Sequence, residues 1–286
     1  MTKKTKLFTL WIGVAALILS AGCSKRTLPP TGNPAVAGAP GLQPGGDVVS
    51  TFTLVGHTQT GRKKWEVQGE TADLMAEKVN LSPVSATSFG NVDVHLTAKK
   101  GQFDRSSENV HLEGDVVVTT TDGAQLTTES LDWVQQTETG TTPDRVVVTR
   151  PGMTVSGTGG VGYPKLKQVR LEKEIVVVLE DPKKGRTIIT CSGPMEVDYG
   201  ANKARFWRNV RVEDAKGFIL ADRMDVALDP RTNQVEKAVF WGHVEIHQEG
   251  KVATANRANY WQPQGRIQLM GHPKLVMIPQ EGKIIE

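Results

Sequence analysis

The chain has 286 residues, of which 34 are lysine or arginine, 31 are aspartate or glutamate and 2 are cysteine. Its formal net charge is +3, and it has no basic stripe with interleaved aromatic residues, which argues against nucleic acid as a partner. It also lacks the G-x-x-x-x-G-K-[ST] phosphate-binding motif, so the chain is not an ATP-driven motor.

The N-terminus has the pattern of a secretory signal peptide, which we assign to residues 1–22. Lysines precede an apolar run from Leu7 to about Leu19, and this run is shorter than the ~20 residues that a spanning helix needs. The run leads into Leu19-Ser-Ala-Gly-Cys23, which resembles a bacterial lipobox and predicts that Cys23 carries the lipid anchor. An uncleaved anchor helix is the alternative. Either arrangement predicts a chain that is tethered to a membrane and faces the periplasm.

Processing at Cys23 changes the composition of the mature chain. Removal of residues 1–22 takes away three lysines and no acid, so the basic count falls from 34 to 31 and equals the acidic count. Residues 23–48 are rich in proline and glycine and nearly free of large apolar side chains, which is typical of a disordered tether. Only Cys191 remains as a free thiol, and its apolar surroundings predict that it is buried rather than reactive.

From Val49 onwards the dominant pattern is the alternation of apolar and polar residues, as in Val110-His-Leu-Glu and Val210-Arg-Val-Glu. Such alternation is typical of strands with one buried face. Turn signals, among them Asp122-Gly123 and Lys216-Gly217, separate the runs at the spacing of ordinary strands, and no window has a sustained helical stripe. The sequence therefore predicts an all-β fold with very little helix.

A repeat of about 30 residues underlies these strands. Its first limb reads apolar, small, small or polar, then apolar or aromatic, and clear copies are Val67–Leu74, Leu96–Phe103, Leu126–Trp133, Ile219–Val226 and Ala253–Tyr260. Its second limb begins at Val110, Val235 and Ile267. About seven such repeats predict one elongated body, because each repeat can bury its apolar edge only against its neighbours.

The repeat resembles the OstA-type repeat of periplasmic lipopolysaccharide-transport proteins, most clearly in Leu220-Ala-Asp-Arg-Met and Val235–Ile246. Residues 49–183 resemble the LptC family, and residues 184–286 resemble the LptA family, as a continuous second part. The resemblance implies a twisted β-jellyroll that is open along one side. It also implies that the jellyroll holds lipid A acyl chains and passes them edge to edge along a bridge of similar jellyrolls.

The function that the resemblance implies is a periplasmic carrier and not an enzyme, without cofactor or metal. The implied partners are lipopolysaccharide, an inner-membrane ABC transporter complex that supplies the work, other OstA-like jellyrolls, and the membrane through the lipid anchor. We expect anchorage in the inner membrane, with the outer membrane as the alternative. Two functions from other classes remain open: a structural envelope lipoprotein without interior lipid, and a β-helical carbohydrate-active enzyme.

Alternation selects the side chains that would line such an apolar groove. The candidates are Phe103, Leu112, Val118, Trp133, Val226, Phe240, Ile246, Tyr260 and Leu269. Each candidate also fits a closed core. Exposed edge strands that could pair with another jellyroll are predicted at Phe52 and Leu54 near the start and at Leu275, Val276 and Ile278 near the end.

Three patterns suggest other chemistry. Gly157-Thr-Gly-Gly-Val-Gly matches the dinucleotide motif by letter, but Tyr163-Pro164 prevents the helix that the motif requires, so a close-packed turn or bulge is predicted. His243 and His247 lie four apart in a predicted strand, roughly 13 Å from each other, which is too far to share a zinc ion. Acidic pairs such as Asp222 and Asp225 are the basis of the glycosidase alternative.

Overall fold

The computed structural model describes residues 48–277 except 58–59, 74–76, 91, 164–165, 183–184 and 232–233. The predicted signal peptide, Cys23 and all but the last residue of the predicted tether lie outside these residues.

Within the described part the chain forms 18 strands and no α-helix, and hence no helix long and apolar enough to cross a membrane. The strands are β1 (Val48–His57), β2 (Lys63–Asp73), β3 (Lys78–Ser88), β4 (Val94–Ala98), β5 (Lys100–Asp104), β6 (Val110–Thr120), β7 (Gln125–Val134), β8 (Thr139–Arg150), β9 (Met153–Tyr163), β10 (Gln168–Asp181), β11 (Gly185–Cys191), β12 (Met195–Asp198), β13 (Lys203–Asp214), β14 (Gly217–Leu228), β15 (Val235–Gln248), β16 (Lys251–Trp261), β17 (Arg266–Met270) and β18 (Lys274–Met277).

All these strands belong to one sheet, in which antiparallel neighbours follow each other along the chain. Three pairs of strands are each the two halves of one interrupted rung, because an adjacent strand pairs with both halves: β4 with β5, β11 with β12, and β17 with β18. The 18 described strands therefore make 15 rungs, and two successive rungs form one hairpin repeat. The meander confirms the predicted all-β jellyroll of about seven stacked repeats.

Most long rungs bend near their middle. The ladders of β6, β10, β13 and β15 each skip two residues of the strand, and positive φ angles occur at all four sites, for example at Gly114 (80°), Asp115 (47°), Gly242 (70°) and His243 (41°). Glycine enters this region without a Cβ clash, which explains the glycine at the centre of the repeat's second limb. The gaps between β4 and β5, between β11 and β12 and between β17 and β18 lie in the same row of the sheet as these bends. Together the bends form one row, which we call the apex.

The apex divides each rung into two halves that we call arm 1 and arm 2. Arm 1 contains, for example, residues 110–113 of β6 and 203–207 of β13, and arm 2 contains residues 116–120 and 210–214 of the same strands. Contacts near the apex join the arms, since a Cβ placed on Gly160 of arm 1 would lie 3.4 Å from Cγ2 of Val146 of arm 2. The sheet is thus folded on itself, as a jellyroll requires.

One hydrophobic core lies between the arms and extends from Val84 to Ala258. The core and the ladder both cross the predicted boundary between residues 183 and 184, because β10 and β11 are paired from Ile175↔Cys191 to Asp181↔Gly185. The two halves of the chain are therefore parts of one sheet. The position of the boundary itself stays a prediction.

The glycine-rich segment that matched the dinucleotide motif lies inside β9. Gly159 has a φ of 73° and lies opposite the register shift of β8 between Thr142 and Arg145, and a Cβ on Gly157 would lie 2.9 Å from Cδ1 of Ile175. Close packing and the bulge explain these glycines, so the predicted alternative to a nucleotide loop is confirmed.

Candidate functional site

Rows of apolar side chains line the inner face of each arm, because ladder pairing places them in register across the rungs. In arm 1 the row next to the apex contains Leu112, Leu131, Leu171, Met195, Phe206, Met224, Phe240, Ala258 and Leu269. The following row contains Phe103, Val110, Trp133, Val169, Val197, Ala204, Val226, Ala238 and Tyr260. We call the space between the inner faces of the arms the groove.

All nine predicted lining residues lie on inward-facing rows. Seven are in the two arm 1 rows, and Val118 and Ile246 are in arm 2. Their burial divides them into two groups. Leu112, Val118, Trp133, Val226 and Phe240 are at most 7% exposed, and Phe103, Ile246, Tyr260 and Leu269 are half-buried. The first group belongs to the packed core, and the second is accessible from outside it. Contact of any of them with lipid stays a prediction.

Burial in the groove decreases from the apex toward the strand ends. In arm 2, Ile175 is 1% exposed and Leu179, four residues farther along β10, is half-buried. In arm 1, Met224 is 2% exposed and Leu228 at the end of β14 is half-buried. The groove is therefore sealed at the apex and more accessible along the side where the strands end, which we call the mouth.

Burial also changes along the sheet. Near the N-terminal rungs, Val94 and Leu126 are at most 3% exposed although they lie close to strand ends. At the other end of the described chain, the inward-facing Ile267 and Leu275 are 39% and 60% exposed, because no further described rung covers them. The apolar face therefore becomes open at the edge formed by β17 and β18.

A charged pair lies at the mouth in the middle of the sheet. The guanidinium Nη2 of Arg150, at the end of β8, donates to Oδ2 of Asp122 at 2.9 Å, and the Arg150 side chain is only 6% exposed. Burial lowers the pKa of Arg150, and Asp122 opposes this effect. Burial raises the pKa of Tyr199, in the turn after β12 of the opposite arm, and nearby Arg150 counteracts it. One cation thus lies between the arms. The sequence analysis did not predict this buried cation, although Arg150 follows Val146 and Val148 at the inward-facing positions of β8.

The last strand presents an open edge. β18 pairs with β16 from Thr254↔Lys274 to Lys251↔Met277, and its other side has no partner in the part of the chain that the structure describes. Leu275, Val276 and Met277 are 57–68% exposed. Free backbone groups on such an edge can pair with a further strand. Of the other predicted edge residues, Phe52 and Leu54 lie in β1, where only the backbone of these two residues is described, and Ile278 lies outside the described residues.

The acidic side chains of the glycosidase alternative have separate partners in the described structure. Asp222 contacts His243 at the apex, and Asp225 accepts a hydrogen bond from Arg223 on the outer face of arm 1. Among described residues, no group of three or more His, Cys, Asp or Glu side chains could hold a metal ion. Cys191 is 5% exposed and its pKa is raised by burial, so the predicted burial is confirmed.

Two protein families match the chain in sequence, one after the other. "LptC: Lipopolysaccharide-assembly, LptC-related" matches residues 59–180, and "LptA/(LptD N-terminal domain) LPS transport protein" matches residues 191–286. The protein is a lipopolysaccharide-transport component of the LptC/LptA type. Its first half is LptC-like, its second half is LptA-like, and both lie in one polypeptide. These are transport families, so this LptC/LptA-type protein is not an enzyme, and the carbohydrate-active alternative is wrong.

No curated protein sequence matches the chain. Among solved structures, the chain is similar to LptH from Pseudomonas aeruginosa, described as the LptA homologous periplasmic component of the lipopolysaccharide transport device. The similarity has 12% sequence identity and a TM-score of 0.19, and it covers 65% of this chain and 95% of LptH.

Proposed function

We propose that this LptC/LptA-type protein is a membrane-anchored periplasmic carrier that holds the acyl chains of lipopolysaccharide in the groove and passes the lipid along a protein bridge toward the outer membrane. The observation that carries the proposal is the inward-facing apolar surface of the rungs from β10 onward, which is sealed at the apex and accessible at the mouth. The anchor would be the lipid on Cys23, in the inner membrane. An inner-membrane ABC transporter complex would supply the energy.

Partial burial is what a carrier requires. A fully buried methylene contributes about 0.8 kcal/mol, so one chain of about a dozen carbons would gain about 10 kcal/mol if it were wholly enclosed. Several enclosed chains would bind too tightly to be passed on. Phe240 and Met224 already fill the region near the apex. Acyl chains would therefore lie at the mouth, over half-buried side chains such as Ile246 and Tyr260, and lose only part of their contact with water.

The open edge supports the proposed transfer to another protein. A strand added to β18 by β-augmentation would continue the sheet. Leu275 is paired with Ala253 on the inner face, so the added strand would also continue the apolar row of the groove. A partner jellyroll that docks here would receive lipid without an intervening polar surface.

The continuous ladder between the two halves supports a further step in this proposal. The LptC-like match ends at residue 180 and the LptA-like match begins at residue 191, and β10 and β11 are hydrogen-bonded neighbours across this interval. Transfer from the first part to the second would then take place inside one molecule. It would need no docking between separate proteins and would be independent of protein concentration.

Site-specific photocrosslinking in living cells tests the carrier function. An ultraviolet-reactive amino acid at Ile246 or Tyr260 should capture lipopolysaccharide, and the matched control at Glu245, which faces outward on the same strand as Ile246, should not. Circular dichroism of the purified variants checks that the sheet is intact. Absence of adducts at Ile246, Tyr260 and Phe103, or equal adducts at Glu245, would contradict the carrier and favour a structural lipoprotein.

A further inference from the structure

The outer face of arm 1 carries tryptophans that alternate with arginines. Ladder pairing places Trp207 beside Arg223, Arg223 beside Trp241, and Trp241 beside Arg257. A second row, nearer the strand ends, pairs Lys237 with Trp261 and Trp261 with Arg266. We call this surface, from β13 to β17, the tryptophan–arginine face.

The cations of this face lie over the aromatic rings. The guanidinium carbon of Arg257 is 4.1 Å from the centroid of the Trp241 ring, and that of Arg266 is 4.4 Å from the Trp261 ring. Stacking orients the guanidinium but leaves its in-plane N–H donors able to bind an acceptor. Trp241 remains 37% exposed. The face therefore presents flat apolar rings and cationic donors side by side.

The charged residues of this face are mostly basic. Its paired outward positions from β13 to β17 carry one acid, Asp225, and six basic residues, which are Lys203, Arg205, Arg223, Lys237, Arg257 and Arg266. The corresponding outward positions of arm 2 carry two basic residues, Arg211 and Lys274, and two acidic residues, Glu213 and Glu245. Since arm 2 forms the same ladder without excess charge, the positive face is not a requirement of the fold.

The charge is least compensated between β14 and β17. Asp225 binds Arg223, and Glu196 and Asp198 of β12 lie beside Arg205 and Lys203. In the described structure, no carboxylate contacts Lys237, Arg257 or Arg266. These three cations are available to an external anion.

The second row of the face lies at the rim of the mouth. Lys203, Lys237, Trp261 and Arg266 are at or next to the strand ends of arm 1. Next to Lys203 lies a concavity of about 310 Å³, whose charged lining residues are Arg170, Lys203, Arg205, Glu196 and Asp198. A molecule whose apolar part occupies the groove would have its polar part emerge over this rim.

We propose that the tryptophan–arginine face binds an anionic saccharide, namely the phosphorylated sugar portion of the same lipid whose chains occupy the groove. The C–H faces of sugar rings pack on flat aromatic surfaces, and guanidinium groups bind phosphate in bidentate geometry. The identity of the saccharide rests on the proposed function. The binding chemistry of the face does not, because it follows from the rings and the charge.

Calorimetric titration of the full chain tests this binding. The probe is fully deacylated lipopolysaccharide, which keeps phosphorylated sugar and has no acyl chain. The variant K237Q/R257Q/R266Q should bind it at least about 10-fold more weakly than the wild type. The matched variant R186Q/R211Q/K274Q removes Arg211, Lys274 and Arg186, which pairs with Glu180 in the β10–β11 ladder, all from arm 2, and it should differ from the wild type by less than about 2-fold. The single variant R266Q, at an exposed strand end, should already lose several-fold if the triple variant fails to fold.

The control probes separate the possible ligands. Phosphatase treatment of the saccharide should weaken binding about 10-fold, and inorganic phosphate at equal concentration should not compete. The inference would be overturned if both triple variants lost affinity for the saccharide equally or if phosphate competed fully. It would also be overturned if the protein bound phosphatidylglycerol vesicles but not the saccharide. Saccharide binding without acyl-chain crosslinks at Ile246 and Tyr260 would leave this inference standing and remove the carrier function. Crosslinks without saccharide binding would do the reverse.

Discussion

Oδ2 of Asp222 lies 2.8 Å from Nδ1 of His243, across the apex between β14 and β15. A comparable polar pair occurs at an earlier rung, where Nζ of Lys99 is 2.6 Å from Oδ2 of Asp115. Each pair places polar side chains on the outer side of a bend, where the regular ladder is interrupted. The apex is therefore a repeated structural element, and substitutions there should change stability rather than lipid contact.

Replacement of Gly242 by alanine should destabilise the sheet by about 2–4 kcal/mol. The positive φ alone costs a non-glycine residue about 1–2 kcal/mol, and the new Cβ would also clash with the Asp222 carboxylate. Gly265→Ala is the matched control, because Gly265 also has a positive φ but nothing lies within 4 Å of its Cβ position. Urea unfolding measures the stability of both variants. Equal losses of unfolding free energy would show that the structure relieves the clash at the apex.

Trp133→Ala should cost about 3–5 kcal/mol of unfolding free energy, since Trp133 is 2% exposed in the inner row of arm 1. Trp241→Ala removes the same side chain from the outer face and should cost about 1 kcal/mol or less. Both values come from the same denaturation experiment. If the two variants were equally stable, Trp133 would not be part of the packed core.

Leu275→Pro should weaken binding of an OstA-like partner at least about 10-fold, because the N–H of Leu275 points away from β16 and proline cannot donate the backbone hydrogen bond that an edge pairing needs. The effect on the protein's own unfolding should stay near 1 kcal/mol, since β18 is the last described rung. Leu275→Val keeps the N–H group and serves as the control. Co-purification from envelope extracts is the measurement, and unchanged recovery of the partner with the proline variant would refute docking at this edge.

The thiol of Cys191 should be unreactive in the native protein. Burial raises its pKa, so the thiolate that attacks a disulfide reagent is scarce, and access is blocked as well. In a Cys23→Ser variant, labelling with Ellman's reagent at pH 8 should be slow in buffer and complete in denaturant. Rapid stoichiometric labelling of the folded chain would show that the inner row of arm 2 opens readily.

Asp104→Asn should reduce the loss of folding stability that the protein shows at acid pH. Backbone N–H of Ser107 and the hydroxyl of Ser106 hold the pKa of Asp104 at about 2, below its ordinary value of 3.8. The folded state therefore gains stability above pH 4 that is lost as the pH falls toward 2. Urea midpoints at pH 6 and pH 2.5 should differ less in the variant than in the wild type. An identical pH dependence would exclude this contribution.

The side-chain alternation of the sequence was sufficient to find the inward-facing residues. A strand sends successive side chains to opposite faces, so Leu112, Trp133 and Phe240 could be assigned to the inner side without knowledge of the strand order. Their degree of burial could not be assigned in the same way. It depends on how closely the opposite arm approaches, and the sequence pattern of one arm does not contain that distance.

Two parts of the candidate sites could not be found from sequence. Arg150 is buried at the mouth because Asp122 and the opposite arm enclose it, and both belong to other rungs. The tryptophan–arginine face depends on register, since the neighbours in its first row are 16 to 18 residues apart in sequence and come together only when each hairpin closes at a particular residue.

The stacking of 15 equivalent rungs also sets how far the protein can reach. Neighbouring strands are about 4.8 Å apart, so the described sheet measures roughly 65–70 Å from its first strand to its last. Duplication or loss of one hairpin would change this distance by about 10 Å and would leave the packing of the remaining hairpins as it is. The span of the molecule across an aqueous compartment can therefore evolve in fixed increments, through the number of hairpins alone.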